Sequence, residues 1–89
     1  MFEWDAEKAA DNLRKHGVPF ELAQRVFDDP RWIDIEVSRA QDGEPRYKAV
    51  GNIDDKLFAV VFTMRGDARR IISARRTNAK EDRQYADHS

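Results

Sequence analysis

Residues Leu57–Met64 are apolar on both faces of an extended chain, and this stretch limits the possible folds more than any other. A strand of that kind has to be covered from two sides, which marks it as the centre of a sheet. Arg65-Gly66-Asp67-Ala68, directly behind it, is a tight hairpin signal, so Arg69–Ser73 is expected to return as an antiparallel neighbour. Ahead of it, Asp54-Asp55 breaks off a strand over about Arg46–Asn52, and Ala40 to Pro45 reads as a turn or short loop. Further upstream, Trp32, Asp34 and Glu36 alternate with Ile33, Ile35 and Val37, the period of a half-buried strand.

The first thirty residues follow a helical period instead. Asp5 is placed to accept hydrogen bonds from the free amides of a first turn, and Gly17 offers the left-handed residue that ends a helix at about His16. Ala9, Leu13 and His16 form one stripe of this helix, beside Lys8, Asn12 and Lys15. Pro19 suits the start of a second helix with Phe20, Ala23, Val26 and Phe27 inward, stopped by Asp28-Asp29-Pro30. A last helix is expected from about Thr77 to Tyr85. The order α-α-β-β-β-β-α predicts a single α+β domain over residues 1–89: two N-terminal helices, a four-stranded antiparallel sheet and a C-terminal helix.

Charge is polarised along the chain. Between Arg65 and Arg83 there are seven basic and three acidic residues, a balance of +4, whereas residues 1–64 carry −4 and the whole chain −1. Positive charge gathered on one folded surface attracts a polyanion far better than the net charge implies. If Gly66-Asp67 is the hairpin turn, Arg65 and Arg70 share a face with Thr63 and Arg69 projects from the other. Arg75 and Arg76 leave the strand where at least one can point back over the first face. Converging guanidiniums there would clamp a phosphate by paired hydrogen bonds. The plainer alternative is solvated arginines that pair with Asp67, Glu81 and Asp82.

Other candidates flank this face. His16 is the one histidine in a structured place; it suits proton transfer or, more simply, a helix C-terminus. Lys8 and Asn12 lie one turn apart, and an asparagine inside a helix is chosen against propensity, which implies a partner. Glu81 and Tyr85, four residues apart, share a face of the last helix and either supply acid–base groups or pack on the sheet. Trp4 and Trp32 read as core or rim aromatics. With no cysteine there are no disulfides or thiolate metal sites, and no metal or cofactor is expected. An acidic N-terminal stretch where a signal peptide is basic, and no long apolar run, predict a cytoplasmic protein with no membrane contact. From the residues alone, the expectation is an anion-binding α+β domain for nucleic acid.

The segments FEWDAEKAADNLRKHGVPF, AQRVFDDP, EPRYKAVGNIDDKLFAVVFTMRG and RRIISARRTNAKEDRQY, in this order and spacing, resemble the BrnT family of toxins from bacterial type II toxin–antitoxin pairs. The likeness runs from Phe2 to Tyr85. It implies a RelE-like ribonuclease fold, an RNA substrate, growth arrest by the free toxin, and a BrnA-type antitoxin that binds operator DNA and neutralises the toxin in a hetero-oligomer. The family's recurrent polar residues fall on Lys8, Asn12, Lys15, His16, Glu44, Arg46, Tyr47, Thr63, Arg65, Arg75, Arg76, Glu81 and Tyr85. Metal-independent cleavage by the substrate's own 2′-hydroxyl is then the expected chemistry. Its candidate catalytic groups are Arg65, Arg75, His16, Glu81 and Lys8, and its candidate RNA contacts are Arg46, Arg70, Arg76, Asn12, Lys15 and Tyr85. The alternative is a non-catalytic module that binds RNA or the antitoxin as co-repressor of its own operon.

Overall fold

The computed structural model describes residues 1–37 and 43–88, so Ala40, Gln41 and Asp42 of the expected loop lie outside the described residues. The elements are β1 (Phe2–Trp4), α1 (Ala6–His16), α2 (Phe20–Ala23) continued by a 3-10 turn (Gln24–Asp28), β2 (Ile33–Glu36), β3 (Tyr47–Ile53), β4 (Lys56–Arg65), β5 (Ala68–Arg76) and α3 (Ala79–Asp87). One sheet forms in the order β1-β5-β4-β3-β2, with β4 at its centre as its two-sided apolar pattern demands.

The expected four-stranded antiparallel sheet needs correction on two counts. There are five strands, and the added one, β1, runs parallel to β5, with Phe2 opposite Arg69 and Trp4 opposite Ile71. Three residues are too few to show an alternation, and β1's partner is more than sixty positions away. The returning strand is also longer than expected, running to Arg76. Among the described residues no helix is long and apolar enough to cross a membrane.

One face of the sheet carries the main core. Phe58, Val60 and Phe62 of β4, with Ile71 and Ala74 of β5, meet Phe20, Ala23 and Val26 below them. Each large apolar side chain so removed from water contributes roughly 1.5–3 kcal/mol. Gly51 lets β3 approach the 3-10 turn: a Cβ there would lie 3.0 Å from both the side chain and the carbonyl of Val26. Trp4 packs edge-on to Phe20 and Trp32 edge-on to Phe27. The opposite face holds Val50 and Ala59, both buried, and the docked α3.

Helix α1 is capped as its sequence implies, Asp5 Oδ1 accepting from the amides of Glu7 and Lys8, and Gly17 adopting φ 69°. Its stripe differs from expectation. Leu13 is 49% exposed and His16 lies on the surface; the inward residue is Asn12, only 5% exposed. Strand β1 stops opposite Ile71, which leaves the edge of β5 unpaired at Ala74. The Asn12 carboxamide takes the place of the missing strand: Oδ1 accepts from the Ala74 amide, and Nδ2 donates to the carbonyls of Ala74 and Val18, each at 2.9 Å. Truncation at Asn12→Ala strands three buried backbone groups and should lower stability by on the order of 3 kcal/mol. At this chain length that is a fall in melting temperature of roughly 10 °C or more. An unshifted thermal transition would show that the side chain is dispensable to the fold.

Candidate functional site

The second face of the sheet gathers the basic residues, and a break in the strand pairing decides which ones. Thr63 pairs with Arg70 and Phe62 with Ile71, but Val61 pairs with Ser73, so Ile72 is an extra residue in β5. Arg70 and Arg75 are five positions apart and would fall on opposite faces of a regular strand. The bulge at Ile72 changes the phase and brings both to the face of Thr63 and Arg65. Arg69 and Arg76 turn to the other face. There Arg76 donates through Nε to the Leu57 carbonyl and lies 5.4 Å from the Phe58 ring centroid.

At the centre of this face is Glu81, whose side chain is 1% exposed. Arg75 holds it by two parallel hydrogen bonds of 2.8 Å, and Lys48 Nζ of β3 lies 2.7 Å from Oε2. Oε1 also accepts from the Asn78 amide, while Asn78 accepts in return from the Glu81 amide, so the same carboxylate closes the capping box that starts α3. Burial opposes its charge, but the hydrogen bonds from Arg75, Lys48 and the Asn78 amide outweigh it. The pKa falls from its ordinary 4.5 to about 2. The Glu81 contact, against some desolvation, in turn raises the pKa of Arg75. Arg75 uses three of its five N–H groups here, one of them on the Arg76 carbonyl, and the other two bond nothing among the described residues.

Two further arginines flank this centre, each on a carboxylate: Arg70 on Glu3 at 2.7 Å and Arg65 on Glu44 at 3.1 Å. Thr63 is buried, its hydroxyl donating to the Pro45 carbonyl at 2.7 Å. Arg46 stands half-buried just ahead of β3, two positions from Lys48. Lys8, Lys15 and His16 line an open cleft together with Asp11, Asn12, Ile72 and Ser73, where α1 borders β5. Ser73 shares the face of Arg75, so this cleft adjoins the arginine face.

Tyr85 stands apart from that group. Its hydroxyl donates to Asp29 Oδ2 at 2.6 Å, and burial together with that contact pushes its pKa up to about 12. Asp29 also accepts from the amides of Arg31 and Asn52, and against the cost of burial these bonds hold its carboxyl low. Glu81 therefore pins the first turn of α3 to the sheet, and Tyr85 ties its other end to Asp29, just beyond the 3-10 turn. Among the described residues no three carboxylate or imidazole groups gather to hold a metal ion.

Lys48 is the site residue that sequence reasoning missed, although a signal for it exists. The Asp54-Asp55 turn sets Ile53 opposite Lys56, which counts back to Lys48 opposite Val61 and on the face of Thr63. Both turn residues have positive φ, 51° and 69°, as a two-residue hairpin of type I′ requires.

The low pKa of Glu81 makes stability depend on pH. A carboxyl depressed on folding stabilises fully above its unfolded value and loses that contribution as pH falls through the folded one. Denaturation midpoints should therefore decline from about pH 4.5 towards pH 2, with on the order of 3 kcal/mol at stake. Glu81→Gln should flatten this slope and be less stable at pH 7. A wild-type profile flat over that range would contradict the buried ion cluster.

Comparison with known proteins bears on this site. No curated protein is significantly similar to the chain. The family model of the BrnT ribonuclease toxin of type II toxin–antitoxin systems matches residues 4–81. That span takes in α1, all of β2 to β5 and the start of α3 with Glu81, and on it the chain belongs to the BrnT family.

Proposed function

We propose that the second face of the sheet is the active site of a metal-independent endoribonuclease, centred on Arg75 and Lys48. The observation that carries this is the buried Glu81 carboxylate, which fixes both cations side by side while leaving each with unused donors. Fixed cations stabilise the charge that develops on a phosphorane without reorganising during the reaction, a contribution of several kcal/mol. Arg65 and Arg70 hold the neighbouring backbone phosphates, and Arg46, Lys8 and Lys15 extend the same track to both sides.

In this mechanism the ribose 2′-hydroxyl attacks the adjacent phosphorus and gives up its proton to a base. The P–O5′ bond breaks, and the 5′-oxygen takes a proton from an acid. The products are a 2′,3′-cyclic phosphate and a 5′-hydroxyl, and no water is consumed. Glu81, ionised down to about pH 2 and saturated with donors, acts as a positioning residue and not as the base. Tyr85, tied to Asp29, acts in the same way on α3. Proton transfer falls to His16, with Lys8 about two turns away along the same cleft. Asn12 serves the fold beneath them, and Arg76, turned to the other face, contributes at most to the outer RNA path. A RelE-like fold, a cytoplasmic setting, growth arrest by the free toxin and a DNA-binding antitoxin of the BrnA type belong to the same proposal.

The test is incubation of the antitoxin-free protein with end-labelled RNA in excess EDTA. Fragments ending in cyclic phosphate are expected. Arg75→Ala and Lys48→Ala should each cost about 100-fold or more in single-turnover rate, while RNA affinity changes only a few-fold. A requirement for Mg²⁺ would sink the mechanism. If RNA binds with a steep salt dependence and stays intact, the face is a binding surface, as in the co-repressor alternative.

A further inference from the structure

Unlike Arg65, Arg70 and Arg75 on the second face, the arginine next to the hairpin on the core side holds no carboxylate among the described residues. Arg65, Arg70 and Arg75 each hold a glutamate, whereas Arg69 makes no ion pair among the described residues. Its guanidinium carbon lies 4.3 Å from the Phe27 ring centroid and 5.5 Å from that of Trp32, a stacked pose that leaves N–H groups at the rim for a ligand. Phe27 and Trp32 are only half-buried. Met64, across the strand pair from Arg69, is 44% exposed, and Met1, whose carbonyl accepts the Arg69 amide, is almost wholly exposed.

Aromatic rings, methionines and an arginine that pairs with no carboxylate among the described residues are the composition of the centre of a protein interface. RNA fits less well. A polynucleotide track needs several cations and open ring faces, and here a single guanidinium already covers Phe27, which meets Trp32 and Phe62 edge to face. A peptide carrying one carboxylate and one apolar side chain satisfies both halves of the patch.

We infer that Arg69, Phe27, Trp32 and Met64 form a docking surface for the antitoxin, on the face of the sheet opposite the arginine site. The occupant is an antitoxin segment with an Asp or Glu paired to Arg69 and an apolar side chain seated on Met64 and Trp32. The inference rests on the family's having an antitoxin and not on the cleavage chemistry. The antitoxin thus gains a hold on the toxin that does not compete with bound RNA.

The test measures the affinity of the purified cognate antitoxin for the toxin and its Met64→Asp, Arg69→Ala and Arg69→Lys variants, with RNA cleavage assayed in parallel. Met64→Asp places its charge on an exposed position, so the fold survives even if the Arg69 variants are destabilised. A rise in Kd of tenfold or more is expected for Met64→Asp, with RNA cleavage unchanged. Arg69→Lys keeps the charge but loses the planar fork and should fall between wild type and Arg69→Ala. Antitoxin binding by Met64→Asp within twofold of wild type would overturn the inference, as would variants that weaken RNA binding in place of antitoxin binding. If the wild type cleaves no RNA, the proposed function fails while the antitoxin affinities still decide this one.

Discussion

A single buried carboxylate ties the fold of this protein to the chemistry proposed for it. Glu81 caps the helix it belongs to, docks that helix on the sheet, and fixes Arg75 and Lys48 from two different strands. Desolvating an ion is expensive, and a buried ion cluster is seldom the most stabilising choice for a given space. A well-packed apolar residue could attach α3 to Val50 and Ala59 at least as firmly. What it could not do is hold two cations at fixed positions with donors to spare. The cluster is best understood as stability given up for geometry.

The ion pairs of the arginine face differ in how readily they exchange. Arg65 and Glu44 are both about half exposed, and pairs of that kind contribute little. An incoming phosphate can take over the guanidinium at small cost. The pair between Arg70 and Glu3 is more enclosed, and that between Arg75 and Glu81 is anchored in the fold. The face therefore has a gradient from replaceable to permanent pairing, running from the hairpin inward. On the function proposed above, the outer arginines surrender their glutamates to the substrate, while Arg75 keeps its own and is already oriented.

Much of this architecture could be read from local patterns. The cap at Asp5, the left-handed Gly17, the central position of β4 and the hairpin at Gly66-Asp67 each rest on a few adjacent residues, and each stands where expected. The features that escaped were settled by distant partners. Strand β1 has meaning only beside β5, and Asn12 could be seen to want a partner but not which one, because the gap it fills lies sixty-two positions away. Lys48 could be assigned to a face only by a register count from the turn at Asp54-Asp55. Glu81 and Tyr85 were visible as a pair on one helix face, but their partners, and so their division between cation clamp and helix anchor, depend on tertiary packing.

The bulge at Ile72 makes the way the residues between Arg70 and Arg75 pair with β4 matter as much as their identity. Substitution of Ile72 alters one half-buried side chain and leaves the arginines where they are. Its deletion would restore an unbroken alternation with Arg70 and Arg75 four positions apart, still on one side of the sheet. Drawing Ile72 into the ladder with no residue lost would do the opposite, turning Arg75 into the apolar layer and away from Glu81. What this stretch has to preserve is thus the phase of its pairing, and an extra residue is tolerable only while it stays outside the ladder. The letters of the segment can be rewritten, and the surplus one even dropped, as long as each arginine still emerges on its own side.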